Sequence, residues 1–377
     1  FRRCALGGVG TLLLLSLINR PVVSLGKGWV EPFYIRNAER DGDLVMNLNT
    51  RNYPPKGGIR VPADEMKRLL IRLFEAVGMR TSDAEILANI LNANDRRCLF
   101  SHGMGQVPHY LQKIKDGLVN PRPNIAVVSE APGALVIDGD GGLGYFSCYE
   151  GTNRIIDKAK QGGVAVLTTR NHEHVGSAGN YTRMAIAAGC IGISASSYIN
   201  HLRPEDFIYN VVDVSPMSIA FPAGQQPPLV MDMGGTVIPF DEELFNRLPT
   251  TFFKTMALTS AIRGLGGVFA GIYKEGYVDP HWESNQGAFI AAINVSHFMP
   301  IDEFKDEMDR FIKEARSTKP LPGMERPELA GGNEWLWDKE NSEKGIPIGE
   351  GHQLALQEEA DKLGVETPFA QCQHTKF

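Results

Sequence analysis

The sequence is poor in cysteine and has no excess of basic residues. Its 377 residues include five cysteines, and no two of them are spaced as C-x-x-C. Zinc-binding modules and disulfide-stabilised domains depend on paired or densely spaced cysteines, so neither class is indicated. Asp and Glu outnumber Lys and Arg by 44 to 38, and the formal net charge is −6. Because nucleic-acid-binding domains present a basic face, this composition argues against a nucleic-acid partner.

Long hydrophobic runs are also scarce. An apolar run over residues 5–18 follows two arginines, and it is shorter than the roughly 20 residues that span a bilayer. A basic start, an apolar stretch and small residues after it resemble a signal peptide or a transit peptide. Residues 1–57 are therefore predicted to be a targeting-like segment followed by an irregular arm. No membrane association is expected unless residues 5–18 are retained as an anchor.

Three helices are predicted near the start of the folded chain. Behind Pro62, apolar side chains recur at helical spacing, and Gly78 ends this first helix. Ser82 is expected to cap the second helix, and the third ends near a glycine. A helical domain is therefore predicted over residues 58–123, joined by further helices within 300–377.

After residue 121 the pattern changes to short β-branched runs bounded by Gly and Pro, which predict strands. These runs are NIAVVSE, GALVIDG, VAVLTTR, IGISASS, PMSIAFP, PLVMDMG and GAFIAAINVSHF. Helices are expected between them, near residues 147–162, 177–188 and 251–270. Residues 124–299 are thus predicted to form an α/β domain, a sandwich flanked in sequence by helices.

The stretch DGDGGLGY, residues 138–145, is a candidate phosphate-binding loop. Gly139, Gly141 and Gly144 fit the G-x-G-x-x-G spacing of dinucleotide-binding folds. That fingerprint needs an acidic residue about 20 positions later, where this chain has Lys-Ala-Lys-Gln at residues 158–161. Taken alone, the stretch is interpreted as a turn.

Histidines are the main candidates for acid–base chemistry. His102 follows the second predicted helix in a Ser-His-Gly triplet, and histidine exchanges protons near neutral pH. On spacing alone, an ordinary polar residue at a helix end is favoured over a catalytic one.

Two other stretches carry candidate side chains. His172 and His174 alternate, so they share a face in an extended segment, but no further ligand lies at a recognised spacing and no metal is predicted. In the alternative interpretation, His172 is exposed and His174 is hydrogen-bonded near a glycine turn. Lys254 lies early in an apolar helix, where it either snorkels to solvent or contacts a phosphate or carboxylate.

These segments together resemble the type-2 malate/L-lactate dehydrogenase family, and the resemblance runs from about residue 59 to residue 365. The stretches that carry it, in order, are DRRCLFSHGMGQVPHY, DGDGGLGY, RNHEHVGSAGNY, SPMSIAFP, LVMDMGG, FFKTMALTSAIRGLGGVFAG and GAFIAAINVSHF. No single stretch is decisive, but their common order is specific.

The resemblance implies an oxidoreductase that interconverts a small 2-hydroxy acid and a 2-oxo acid with NAD or NADP. Members of the family include ureidoglycolate dehydrogenase and diketogulonate reductase. The implied fold is a non-Rossmann α/β sandwich with a mixed, largely antiparallel sheet, plus a helical domain built from N-terminal and C-terminal helices. A homodimer with sites near the subunit interface and a cytoplasmic location are also implied.

The resemblance assigns roles to individual residues. His102 occupies the position of the family's proton donor, and His174 that of a second histidine, which is the base in some members. Ser101 and Gln106 fall in the substrate-binding stretch. The positions that match cofactor-binding residues are Asp232, Met233, Gly234 and Lys254.

Several positions depart from the family pattern. Gln106 replaces an arginine that can hold a substrate carboxylate, and Arg97 or Arg203 is a candidate substitute. Asp213 lies where a dinucleotide phosphate is expected and would repel it. The region 237–253 is short. These departures leave an alternative open, a catalytically impaired homologue that keeps the fold and dimer as a binding or structural protein.

Overall fold

The helices at the start of the described chain form where apolar residues recur at helical spacing. The structure, a computed structural model, describes residues 52–377, so most of the segment predicted over 1–57 lies outside it. The first helices are α1 (Ala63–Ala76), α2 (Thr81–Arg96) and α3 (Val107–Lys115). Ser82, the predicted cap, lies inside α2, which begins one residue earlier. Gly78 follows α1 with a φ of +94°, a conformation that favours glycine.

Segments from the C-terminal end of the chain complete the core of these helices. They include α9 (Gly332–Lys344) and α10 (Glu350–Leu363), whereas α8 (Ile301–Arg316) contributes no residue to this core. Strand β1 (Ile59–Val61) pairs antiparallel with β9 (Ile346–Ile348). One hydrophobic cluster joins the apolar faces of α1, α2 and α3 to β9 and α10. Because burial of apolar surface is the main stabilising term, this cluster ties the two ends of the described chain together.

A seven-stranded sheet forms the second part of the fold. Its strands are β2 (Ala126–Ala131), β3 (Ala134–Asp138), β4 (Val164–His172), β5 (Cys190–Tyr198), β6 (Pro216–Phe221), β7 (Leu229–Gly234) and β8 (Gln286–Asn294). Their order across the sheet is β2-β3-β4-β8-β5-β6-β7. Only β3 and β4 run parallel, and the other neighbours are antiparallel. A Rossmann domain has a mostly parallel sheet, so the prediction of a non-Rossmann α/β fold with a mixed sheet is confirmed.

Helices cover the sheet and form a second hydrophobic cluster with it. Helix α4 (Gly144–Gly162) packs on β3, β4 and β8, and α5 (Gly179–Ala187) packs on β5, β6 and β7. Helices α6 (Glu242–Arg247) and α7 (Pro249–Arg263) follow β7, and α7 continues as a π-helix over Gly264–Phe269. Helix α4 contributes to both clusters, with Tyr145 and Phe146 in the helical one and Ile155 and Ile156 in the second. The domain boundaries themselves stay predictions.

Residues 52–377 contain no helix that is both long and apolar enough to cross a membrane.

Candidate active site

The Ser-His-Gly turn is held in place by the end of α2. Asn94 donates its Nδ2 to the carbonyl oxygen of His102 at 2.9 Å, and the Met104 amide donates to Asp95 Oδ1 at 2.8 Å. At Gly103 a Cβ would lie 1.9 Å from Asp95 Oδ1, so a larger residue cannot fit there. Burial raises the pKa of Asp95, although the Met104 amide opposes the rise.

The side chain of Ser101 orients His102. Ser101 is buried, and its Oγ lies 2.9 Å from His102 Nδ1, within hydrogen-bond distance. Gln106 donates its Nε2 to the carbonyl oxygen of Ser101 at 2.6 Å. The two residues predicted to bind substrate therefore both contact the turn that carries His102, and the amide of Gln106 is engaged by the backbone.

His174 lies just beyond β4, and Tyr110 of α3 fixes its ring. The Tyr110 hydroxyl lies 2.6 Å from His174 Nδ1 and 3.1 Å from the hydroxyl of Tyr145. Burial lowers the pKa of His174 to about 4; the Glu173 carboxylate opposes this fall, and His102 adds to it. His174 is therefore neutral at pH 7.

The fold brings His102 and His174 together from different elements. Their ring centroids are 5.9 Å apart, and the ring planes are inclined by 33°. Each ring has its Nδ1 within hydrogen-bond distance of a hydroxyl, Ser101 Oγ or Tyr110 Oη. An imidazole oriented in this way can exchange a proton with a small molecule bound beside it.

An ion cluster supports the segment that carries His174. Lys113 Nζ lies 2.6 Å from Glu173 Oε1 and 2.7 Å from Glu283 Oε2. The second oxygen of Glu173 accepts a hydrogen bond from the His174 amide at 2.5 Å. Burial acts to lower the pKa of Lys113, but the carboxylates of Glu173 and Glu283 outweigh it and raise the pKa. Burial likewise acts to raise the pKa of Glu173, but Lys113 and His174 outweigh it and lower the pKa.

The glycine-rich turn packs under the same segment. The Glu173 amide donates to the carbonyl oxygen of Gly142 at 2.9 Å, and the Gly144 amide donates to the carbonyl oxygen of Glu173 at 3.2 Å. A Cβ on Gly144 would lie 2.6 Å from His172 Nδ1. These glycines therefore allow close packing against the histidine segment, which agrees with the interpretation of the stretch as a turn.

His172 has a structural environment. It is fully buried, donates its Nδ1 proton to the carbonyl oxygen of Glu173 at 2.7 Å, and has Nε2 2.8 Å from Thr169 Oγ1. The alternative in which His172 is exposed is therefore wrong. Among the residues that the structure describes, no group of three or more His, Cys, Asp or Glu side chains is placed to hold a metal.

The strand that carries three of the predicted cofactor residues ends beside the His174 segment. Asp232 of β7 accepts a hydrogen bond from Ser177 Oγ, and Arg183 Nη1 lies 3.9 Å from the same carboxylate oxygen. Ser177 belongs to the loop that connects His174 to α5. Met233, also in β7, is half-buried.

Helix α7, which carries Lys254, is attached to the end of β7. Thr259 of α7 donates its hydroxyl to the carbonyl oxygen of Gly235 at 3.2 Å. Gly234 and Lys254 are both exposed. The two stretches predicted to bind cofactor thus meet at one end of the sheet.

Asp213 and Arg203 each have an ion-pair partner, and Arg97 lies at a different place in the fold. Asp213 is buried and pairs with Arg263 at 3.0 Å, so the pair carries no net charge to repel a phosphate. Arg203, one candidate substitute for the missing arginine, is exposed and pairs with Asp206 at 3.0 Å. Arg97, the other candidate, lines a separate cavity that neither His102 nor His174 lines.

Sequence reasoning missed three supporting residues of the site, Tyr110, Lys113 and Asp95. Tyr110 and Lys113 are three residues apart in a predicted helix, so they lie on one face, and this spacing was an available signal. Asp95 continues the four-residue spacing of the apolar positions Leu87 and Leu91, which places an acid in line with a buried stripe.

The open mixed sheet and the paired histidines define a class of α/β protein equipped for acid–base chemistry. A family profile described as malate/L-lactate dehydrogenase matches residues 61–245 and 246–357. The chain belongs to the malate/L-lactate dehydrogenase family, so the predictions of that family and of a dehydrogenase are confirmed.

The similarity to individual relatives covers most of the length of each relative. Malate dehydrogenase of Pyrococcus horikoshii is 30% identical, over 84% of this chain and 99% of that protein. The solved structure of the Pyrococcus horikoshii enzyme gives a TM-score of 0.73 and covers 84% of this chain and 98% of that one. L-sulfolactate dehydrogenase of Methanocaldococcus jannaschii is 28% identical, over 69% of this chain and 85% of that protein. Ureidoglycolate dehydrogenase (NAD(+)) of Escherichia coli K12 is 24% identical, over 83% and 100%.

Proposed function

We propose that the protein uses NAD or NADP to interconvert a small 2-hydroxy acid and the corresponding 2-oxo acid. The observation that carries this proposal is the pair of oriented imidazoles, His102 and His174, with centroids 5.9 Å apart. The names of the relatives support the same substrate class, since they include malate, sulfolactate and ureidoglycolate dehydrogenases.

The environments of the two histidines support different roles for them. A neutral His174 cannot be the acid that protonates a carbonyl oxygen at pH 7, because its pKa is about 4. It serves instead as a neutral hydrogen-bonding partner of the substrate, with its ring held in place by the Tyr110 hydroxyl. His102 is the group that gives a proton to the carbonyl oxygen during reduction and takes it from the hydroxyl during oxidation. Ser101 and Gln106 position the turn around the substrate.

The end of β7 suits the approach of a dinucleotide. Gly234 is exposed and has no side chain, so a ligand can reach the backbone of this edge strand. A Cβ on Gly235 would lie 3.0 Å from Thr259 Oγ1, which keeps α7 close to the strand. Asp232, Met233, Gly234 and Lys254 are the residues that would hold the cofactor, which supplies or accepts the hydride.

The proposal includes a homodimer. Large apolar side chains are exposed along the loops and helices near β6, β7 and α7, and patches of this kind mark interaction surfaces. They are Phe207, Ile208, Val214, Val237, Phe240, Leu248, Phe253, Val268 and Phe269. Sedimentation equilibrium tests this part, and a monomer at micromolar concentration would contradict it. The cytoplasmic location rests on family resemblance alone and stays a prediction.

Cofactor titration and a histidine variant test the catalytic proposal. We expect NADH or NADPH to bind the purified protein in calorimetry, and 2-oxo acids to be reduced in steady-state assays. His102→Ala should lower kcat by about 10²–10⁴-fold while cofactor binding stays nearly unchanged, because a general acid is removed. The matched control is His201→Ala at an exposed histidine, which should keep wild-type turnover.

One observation favours the alternative of an impaired homologue. The amide of Gln106 is bonded to the Ser101 carbonyl oxygen, so neither an arginine nor a free amide faces a substrate carboxylate at this position. Absence of binding by either cofactor at millimolar concentration would support that alternative and overturn the enzymatic proposal.

A further inference from the structure

A cavity of about 300 Å³ lies apart from the paired histidines. Its walls come from the end of α2, from α5, from the turn between β6 and β7, from α8 and from α9. The charged residues that line it are Arg97, Arg183, Lys305 and Asp338. Three cations therefore face one carboxylate across this cavity.

The carboxylates near this cavity are already shared. Asp338 lies 2.9 Å from Arg96 Nε and 3.4 Å from Arg97 Nη2. The Asp232 oxygen that lies 3.9 Å from Arg183 Nη1 also accepts a hydrogen bond from Ser177. Within residues 52–377, Arg183 Nη1 is inaccessible to solvent and has no hydrogen-bond partner. The long ion pair with Asp232 therefore neutralises the Arg183 guanidinium without a hydrogen bond at this nitrogen, which leaves the desolvated charge poorly compensated.

The two arginines also repel each other. Burial lowers the pKa of Arg97 to about 10, and the charge of Arg183 adds to the fall, while Asp338 opposes it. Like charges that share a poorly hydrated space are stabilised when an anion lies between them.

Hydrogen bonds hold the turn between β6 and β7, which forms one wall of the cavity. The amides of Gly224, Gln225 and Gln226 all donate to the carboxylate of Asp309. Gln226 Oε1 also accepts a hydrogen bond from Arg316 Nη1 at 2.9 Å. The backbone donors of this turn are thus engaged, so an anion in the cavity would be held by the side chains that line it.

We propose that this cavity is an anion-binding site for a small molecule that carries a carboxylate or phosphate group, separate from the site at the paired histidines. Arg97 and Arg183 would donate charge-assisted hydrogen bonds to its oxygens, and Lys305 would add charge at the mouth. Half-buried Trp335 and the buried Val230 supply an apolar wall for the body of the ligand.

Calorimetry on the full chain with inorganic phosphate and with succinate tests the proposal and separates the two anion classes. We expect saturable binding of at least one anion, and we expect Arg183→Gln to weaken it by at least about tenfold, since hydrogen bonds to charged groups carry this much affinity. Arg183→Lys, which keeps the charge, should weaken it less. Arg203→Gln removes an exposed arginine that is paired with Asp206 and serves as the matched control.

Three other outcomes would contradict the proposal, and a fourth would separate it from the proposed function. Equal weakening in the Arg203 and Arg183 variants would mean non-specific attraction to a charged surface. Absence of binding by the folded wild type would overturn the proposal directly. If phosphate and succinate no longer bind when NADH is saturating, the cavity is part of a cofactor site and not a separate one. Anion binding that persists in a protein that fails to bind NADH would support the cavity and contradict only the proposed function.

Discussion

At the scale of single residues, the proposed function predicts that Gln106 restricts the choice of substrate. An arginine side chain grips a carboxylate with two parallel charge-assisted hydrogen bonds, whereas glutamine offers one uncharged amide. Here that amide donates to the Ser101 carbonyl oxygen at 2.6 Å, on the turn that carries His102. A 2-oxo acid bound at the histidines would therefore lack a strong partner for its carboxylate from this position.

An arginine at position 106, where the family has one, tests this interpretation of the site. If the rest of the pocket is intact, Gln106→Arg should lower the KM for malate-like or pyruvate-like acids by at least about tenfold, because a hydrogen bond to a charged group contributes roughly 1.5–3 kcal/mol. Steady-state kinetics over a panel of 2-oxo acids with both cofactors measures it. Gln112→Arg places the same charge at an exposed position of α3 and should leave KM unchanged. An unchanged KM in Gln106→Arg would show that this residue does not face the carboxylate.

At the scale of elements, one lysine connects three parts of the site. Lys113 on α3 contacts Glu173, which follows β4, and Glu283, which precedes β8. The Glu173 side chain is 6% exposed, so its charge needs this partner. Removing one member of a buried ion pair leaves the other charge uncompensated.

Lys113→Met should therefore destabilise the protein by roughly 3–5 kcal/mol near neutral pH. Without Lys113, burial should bring the pKa of Glu173 above its unfolded value, so the loss of stability is expected above that value and should shrink as the pH falls and the carboxyl protonates. Urea unfolding at neutral pH and near pH 4 measures both effects.

A second variant separates the ion pair from the packing of the lysine stem. Lys113→Met combined with Glu173→Gln should be more stable at neutral pH than Lys113→Met alone, since no buried charge is left unpaired. Equal stability of the single and double variants would mean that the pair contributes nothing beyond packing.

The individual elements were more predictable than their arrangement. The β-branched runs coincide with strands of the large sheet, and the apolar spacing after Pro62 coincides with α1. The neighbours of each strand could not be predicted from the sequence. The pattern of apolar residues in a strand indicates which face is buried, but not which strand lies beside it. The position of β8 between β4 and β5, which are earlier in the chain, is an example.

At the scale of the whole molecule, neutral buried histidines make stability depend on pH. Burial lowers the pKa of His172 and brings that of His174 to about 4, against about 6.5 in an unfolded chain. Between these values the unfolded state binds more protons than the folded state, so stability rises with pH over this window. Lowering the pH from about 6.5 to 4 should remove roughly 2–3 kcal/mol from the free energy of unfolding through His174 alone.

Urea unfolding across this window checks the expectation. His174→Gln should lose less stability than the wild type between pH 6.5 and 4, since the glutamine does not titrate. His201→Gln, at an exposed histidine, should follow the wild-type curve. A curve for His174→Gln that is parallel to that of the wild type would contradict the lowered pKa of His174.

The sequence by itself determined the class of fold, the family and the two candidate histidines. The spacing of apolar residues and the order of the motifs can be recognised in the sequence without knowledge of long-range contacts. Only the tertiary structure decided that Tyr110 holds His174 and that His172 is buried. It also placed Arg97 at a separate cavity. Each of these depends on groups far apart in the chain, and burial and electrostatic partners arise only when the fold brings such groups together.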